Sequence, residues 1–336
     1  MPTTETISNE HERQHLQEHA TLVQKIERYY LQVLAAISPL IAAKAPRAAI
    51  NRKLNAALAD MVMKTTAAIE NSMTTSWDIA NKRTSQVVEE AYKGMQLPDP
   101  VKDALKDHRH KALKQFIKQK EDGLNLSERV WKSADQYRDL INQHIDEGLK
   151  EGKPAAKISR NIREALKNPA KQEKPGQGVY KSPLKNAERL GRTQVNMAYR
   201  MSDQEAWAAN PLVLGYRVSL SATGKPKVRC ELCRTLEGEY PVTFVFRGWH
   251  PHCLCFKIPI LMSREMLDQY NKLVAQGKDT PEAIEKLQKG VRIMEPPAAL
   301  SKWVTANQER VEGWKNLPYW WKDNQGVMDG ILKPVV

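Results

Sequence analysis

The stretch Cys230-Glu-Leu-Cys233, followed by Gly248-Trp-His-Pro-His-Cys-Leu-Cys255, decides how this chain is read. All four cysteines and two of the eight histidines of the 336-residue sequence fall between positions 230 and 255. Thiolates and imidazoles gathered this closely form the donor set of a tetrahedral zinc site. Cys230 and Cys233 are spaced as a knuckle, two sulfurs presented by one tight turn. The interval to Cys253 has the length that separates ligand pairs in such sites. After it, His250, His252, Cys253 and Cys255 offer more donors than the two still needed. If 253–255 is extended, Cys253 and Cys255 point to the same side. The expected ligands are Cys230, Cys233 and His250 with either Cys253 or Cys255, and the spacing leaves that choice open.

Other readings of the cluster make different demands. Four cysteines allow three disulfide pairings, which an oxidising compartment would favour. The first ten residues show no basic-then-apolar leader, so a reducing cytoplasm, or a particle assembled there, is expected instead. Isolated small hydrophobes would not cluster with two histidines. A catalytic zinc would keep an open position and a nearby base. Glu231, Glu237 and Glu239 are available for that role, but all three are equally well explained as turn residues. A structural zinc, stapling a module with little core of its own, is the expectation.

Outward from the cluster the sequence is helical. Residues 10–37 carry Leu16, Leu22, Val23, Ile26, Tyr30, Val33, Leu34 and Ile37 at helical spacing, with Pro39 as the stop. His11, His15 and His19 share one face of that helix and are expected to be solvated. From Arg47 to Met95 the pattern fits one helix or two, since Thr65-Thr66 and Thr74-Thr75-Ser76 interrupt it. A lysine-rich helix over Val101–Lys120 follows Leu97-Pro98, then one capped by Ser127 and closing at Gly152, then one opened by Pro154. Residues 168–182 read as a surface loop in which Tyr180-Lys181-Ser182 is a docking candidate. A strong helix covers 183–208. Strands are expected at 215–221, 239–246 and 254–260, forming a small sheet on that helix. Helices at 263–276 and 280–289 lead to a Trp-rich tail, whose aromatics suit either an interface or a buried anchor.

The predicted fold class is therefore mainly α with a small α+β zinc-stapled module. It divides into a helical region (1–177), the module (178–262) and a C-terminal helical, Trp-rich tail (263–336). No run is long and apolar enough for a membrane span. Net charge is +13, and residues 101–190 hold 21 Lys and Arg against 13 Asp and Glu. Such a balance favours polyanions such as double-stranded DNA, although long helices are also solvated by lysine and arginine. On helix 183–208, Arg189, Arg192, Asn196 and Arg200 form a polar side. It is suited to a phosphate or to pinning the helix against the module, with plain exposed surface as the default.

Several runs carry a family resemblance: Gly178-Val-Tyr-Lys-Ser-Pro183, Lys185-Asn-Ala-Glu-Arg-Leu190, Arg192-Thr-Gln-Val-Asn-Met-Ala-Tyr-Arg200, Val218-Ser-Leu-Ser221, Leu236-Glu-Gly-Glu-Tyr-Pro241 and Gly248 to Cys255. Together they resemble the phage Mu F-like head morphogenesis proteins, also called minor capsid or minor head proteins. The likeness covers residues 178–262. It extends more weakly to Leu126–Trp131, to Gly148–Leu166 and to the tail with Trp303, Asn307, Arg310, Leu317-Pro-Tyr and Asp323-Asn324. It implies a non-enzymatic virion protein inside the head near the portal, present in the host cytoplasm during assembly. Such a protein meets the portal and other capsid proteins and acts in head assembly, DNA packaging or genome delivery. Where the family usually has Arg-Thr-Glu, this chain has Arg192-Thr-Gln194. His252 occupies a variable position, which favours His250 as ligand. The contrasting expectation is a zinc-stabilised nuclease with His252 as its base.

Overall fold

The computed structural model describes residues 4–106, 109–167, 182–221, 230–314 and 316–332. The chain is mainly helical with one small antiparallel sheet, as the periodicities predict. Two long helices open it, α1 (Thr4–Ala42) and α2 (Arg47–Ala91). Pro39 does not end α1. Proline removes one amide donor, but the chain around it is packed, with Ile37 and Ile41 both buried. The Thr and Ser residues do not break α2 either. Thr65, Ser72 and Ser76 are buried, and the last two have partners on α1: Ser72 Oγ donates to Glu18 at 2.5 Å and Ser76 Oγ lies 3.0 Å from His15 Nδ1.

The expected helix over 101–120 is two, α3 (Asp99–Lys106) and α4 (His110–Lys118). Between them Arg109 has φ of +49°, which a right-handed helix does not admit. Next come α5 (Leu126–Lys150) and α6 (Ala155–Lys167). The cap of α5 is Asn125, not Ser127. Asn125 Oδ1 accepts from Glu128 N at 2.9 Å while Glu128 Oε2 accepts from Asn125 N at 2.7 Å, a reciprocal capping box. The loop expected at 168–182 lies outside the described residues except for Ser182. That side chain is buried, donates to Leu166 O at 2.7 Å, and accepts from Lys185 N at the start of α7 (Pro183–Ala208).

Contacts divide the chain into two compact units, each built from separated stretches because α1, α2 and α7 contribute to both. One unit, Gln17–Met73 with Lys114–Val195, is helical throughout. Its interior holds Leu22, Ile26, Tyr30, Leu54, Leu58, Ile69, Val130, Ile141, Ile158 and Ile162. Tyr137 donates its hydroxyl to Tyr30 O at 3.0 Å and the two rings stack. Gln194 donates toward Glu121 at 3.4 Å, and Glu121 also pairs with Arg129. A carboxylate at position 194 would meet like charge there.

The other unit is Met1–Leu16, Thr74–Leu113 and Asn196–Val336. It contains the sheet, in the order β2-β1-β3. Strand β1 (Val213–Ser219) is central, with β2 (Gly238–Tyr240) and β3 (Phe256–Leu261) antiparallel on either side. The strand expected at 239–246 stops at Tyr240, since Pro241 has no amide to give the ladder. Beyond it, Asn324 does the pairing: its side chain accepts from Val245 N at 2.7 Å and donates to Val245 O at 2.9 Å. Trp207 of α7 packs on Tyr216 of β1.

After α8 (Glu231–Thr235), which lies between β1 and β2, the C-terminal helices are α9 (Arg264–Ala275), α10 (Pro281–Gln288), α11 (Ala298–Ala306), α12 (Gln308–Glu312), α13 (Tyr319–Lys322) and α14 (Gln325–Leu332). The Trp-rich tail shares the module's core. Trp320 is fully buried and meets Trp249 edge-on at 5.3 Å, and Asp323 takes both Arg247 Nε at 2.6 Å and Nη2 at 2.7 Å. Of the two roles the tryptophans suit, Trp320 and Trp321 fill that of buried anchor.

Candidate metal centre

The cluster is assembled from two short pieces of chain. Cys230 sits at the N-cap of α8, where its Sγ accepts from Cys233 N at 3.3 Å. This turn brings the two sulfurs to one side. His250 Nε2 lies 3.1 Å from Cys230 Sγ and 3.1 Å from Cys233 Sγ. A turn closed by Cys253 N on His250 O at 3.1 Å then swings Cys253 in, placing its Sγ 3.9 Å from that of Cys233. Cys253 and Cys255 are buried while Leu254 between them is exposed, the alternation expected of extended chain. His252 supplies the left-handed residue of the turn, with φ of +62°. It is not among the donors brought together.

Two groups of three meet at Cys233: Cys230, Cys233 and His250, and Cys233, Cys253 and Cys255, with the ligand atoms of each within 4.8 Å of one another. A tetrahedral ion with ordinary Zn–S and Zn–N bonds has edges of about 3.8 Å between sulfurs and about 3.5 Å from sulfur to nitrogen. The 3.9 Å sulfur pair matches such an edge and the 3.1 Å pairs are slightly tight. The tautomer also suits a ligand. His250 Nδ1 lies 2.7 Å from Pro251 O, which only accepts, so Nδ1 carries the proton and Nε2 turns its lone pair to the sulfurs. Burial opposes ionisation of Cys253, but S–H donation from Cys233 and Cys255 and the charge of Arg200 outweigh it, so its pKa is lowered. Hydrogen bonding to Cys253 and Cys255 holds Cys233 on the protonated side, with its pKa raised. These residues are placed to hold a metal ion.

Behind the ligand loop stands α7. Arg200 donates from Nε to Cys255 O at 3.0 Å, from Nη1 to Arg247 O at 2.8 Å, and from Nη2 to Cys253 O at 2.5 Å and Cys255 O at 2.7 Å. Asn196 Nδ2 adds a bond to Cys253 O at 3.2 Å. Gly248 makes this approach feasible: its φ is +118°, and a Cβ there would lie 2.6 Å from Arg200 Nη1.

The polar side of α7 is therefore not one surface. Asn196 and Arg200 are buried against the cluster, contrary to an exposed face or nucleic-acid contact, and instead pin the helix to the module. Arg189 and Arg192 are partly exposed and belong to the helical unit. The three histidines of α1 also depart from expectation, with exposures of only 3%, 4% and 5% for His11, His15 and His19. His15 reaches Asn196 Oδ1 at 2.8 Å and stacks on Tyr199 at 4.2 Å. Its identical spacing with its neighbours marked a face, but nothing local showed that the face is covered.

A crevice beside Arg200, lined also by Glu12, His15, Asn196, Tyr199 and Cys255, encloses about 10 Å³, room for a single water. The fold and cluster define a mainly helical protein with a small sheet and a Cys/His cluster whose donors could hold a metal ion. No protein-family model, curated protein or solved structure matches the chain. Among the described residues, no helix is long and apolar enough to cross a membrane.

Proposed function

We propose that the chain is a phage minor head protein of the Mu F-like head morphogenesis type, a non-enzymatic virion component in which a structural zinc holds the C-terminal module in shape. The observation that carries the structural role is the backing of the cluster. Its donors are largely buried, Arg200 and Asn196 bind the ligand loop's carbonyls from behind, and the adjoining crevice has room for one water but not for a substrate. The ligands are Cys230, Cys233 and His250 with one of Cys253 and Cys255, both of which lie with Cys233 in the second group of donors. The phage assignment rests on the resemblance of residues 178–262. In support of it, Val218, Leu236, Tyr240, Trp249, Cys253 and Cys255 of the resembling runs share one buried apolar cluster.

The protein acts inside the head near the portal, contacting portal and capsid proteins and, through its +13 charge, packaged DNA. Purified protein should retain double-stranded DNA in a gel-shift assay, more weakly as salt is raised, and leave the DNA uncut with magnesium or manganese. Metal-dependent cleavage that His252→Ala abolishes would replace this reading with a nuclease.

A further inference from the structure

The polar contacts behind the ligand loop do not end at α7. Asn196 is fixed in one orientation, because Cys253 O can only accept and must face the amide Nδ2. Its Oδ1 is then an acceptor, so His15 Nε2, 2.8 Å away, carries the ring proton. Nδ1 of the same ring is left to accept from Ser76 Oγ at 3.0 Å. One arrangement of protons satisfies the whole chain from ligand-loop carbonyl to α1, and the ring is clamped flat on Tyr199. Every member is buried, where an unmade hydrogen bond is costly. The same stretch of α1 buries Ser8, His11 and Glu12.

We infer that Asn196, Arg200 and His15 are positioning residues of the metal centre, and that metal binding and the seating of residues 4–16 of α1 are linked through them. The linkage rests on the cluster binding a metal. A bound ion fixes the Cys253 carbonyl where Asn196 reads it, and Asn196 in turn fixes His15. Losing the ion frees the loop, withdraws an acceptor from Asn196, and leaves the amide free to turn away from His15. Coupling of this kind is reciprocal, so displacing His15 weakens the metal site.

Two measurements test it on the full chain. The first is hydrogen exchange of zinc-loaded and chelator-stripped protein, in which amides of residues 4–16 should exchange faster after stripping while those of 50–62 in the helical unit stay protected. The second is zinc affinity by competition with a chromophoric chelator. His15→Phe, which keeps the stacking on Tyr199 but not the hydrogen bonds, should weaken affinity about fivefold or more. His15→Gln, which retains an amide donor, should recover much of that loss, and the control His144→Phe, in the other compact unit, should lose nothing. Folded His15→Phe with wild-type affinity, or residues 4–16 equally protected with and without zinc, overturns the linkage. The exchange comparison stands on wild-type protein even if a variant fails to fold. A wild-type chain that takes up no zinc refutes the metal reading itself, which the affinity of the wild type reveals before any variant is compared.

Discussion

Replacing Gly248 with alanine strikes the point where α7 and the ligand loop come closest. At φ of +118° the new side chain occupies backbone space that L residues rarely adopt, a strain of about 1–3 kcal/mol. Its Cβ would also lie 2.6 Å from Arg200 Nη1 and 3.3 Å from Cys253 Cβ. Arg200 cannot yield without giving up the bond from Nη1 to Arg247 O, and a hydrogen bond from a charged group is worth about 1.5–3 kcal/mol. The two effects together come to about 2.5–6 kcal/mol. Gly94→Ala is the matched control, since Gly94 has φ of +80° and open space around it, and only backbone strain of about 1–2 kcal/mol is expected. Both residues lie in the same compact unit, so urea unfolding followed by circular dichroism should report them in the same transition. Gly248→Ala should lower the midpoint clearly more than Gly94→Ala at equal m value. Equal losses would show that Arg200 is not held against the loop as described.

Two further outcomes concern the buried polar interior of the same unit. Arg83 and Asp203 pair with no exposure of either side chain, and the guanidinium lies over Tyr199 and Trp207. Burial works against the charged form of Arg83, but Asp203 and Tyr199 hold its pKa up. Asp203→Ala should cost about 3–5 kcal/mol, and Arg83→Met with Asp203→Leu should cost less than Asp203→Ala alone; additive losses in thermal unfolding would contradict this. Burial also pushes the pKa of His15 down from 6.5 to about 3, so the unfolded chain takes up a proton that the folded chain refuses. Stability should be complete above pH 6.5 and fall on acidification toward pH 3, by up to about 1.4 kcal/mol per unit. His15→Gln should make that fall shallower, leaving the smaller contribution of His11, whose pKa burial also lowers. An unchanged profile would show that His15 is not the group responsible.

What could be read from sequence followed how local its cause was. The helix at 183–208 was legible to the residue, because periodicity and Pro183 act locally. The Cys/His cluster was legible because four cysteines and two histidines crowd into one short stretch. The strand beyond Tyr240 was misread because its backbone is satisfied by Asn324, 79 residues away. The histidine face of α1 and the Ser and Thr residues of α2 were misread for one shared reason: polar groups that look solvated or disruptive in one helix become interior when another helix supplies their partners. Spacing left the choice between Cys253 and Cys255 open, and the fold brings both sulfurs to Cys233.

We propose that the Cys/His cluster holds the module together through a bound metal. Elemental analysis of the full chain, purified without added metal and with thiols kept reduced, tests it most directly. One zinc per chain is expected, lost together with near-UV tryptophan circular dichroism when Cys233, the cysteine common to both groups of donors, is changed to serine. A chain free of zinc and other transition metals, with its near-UV signal intact, would contradict it.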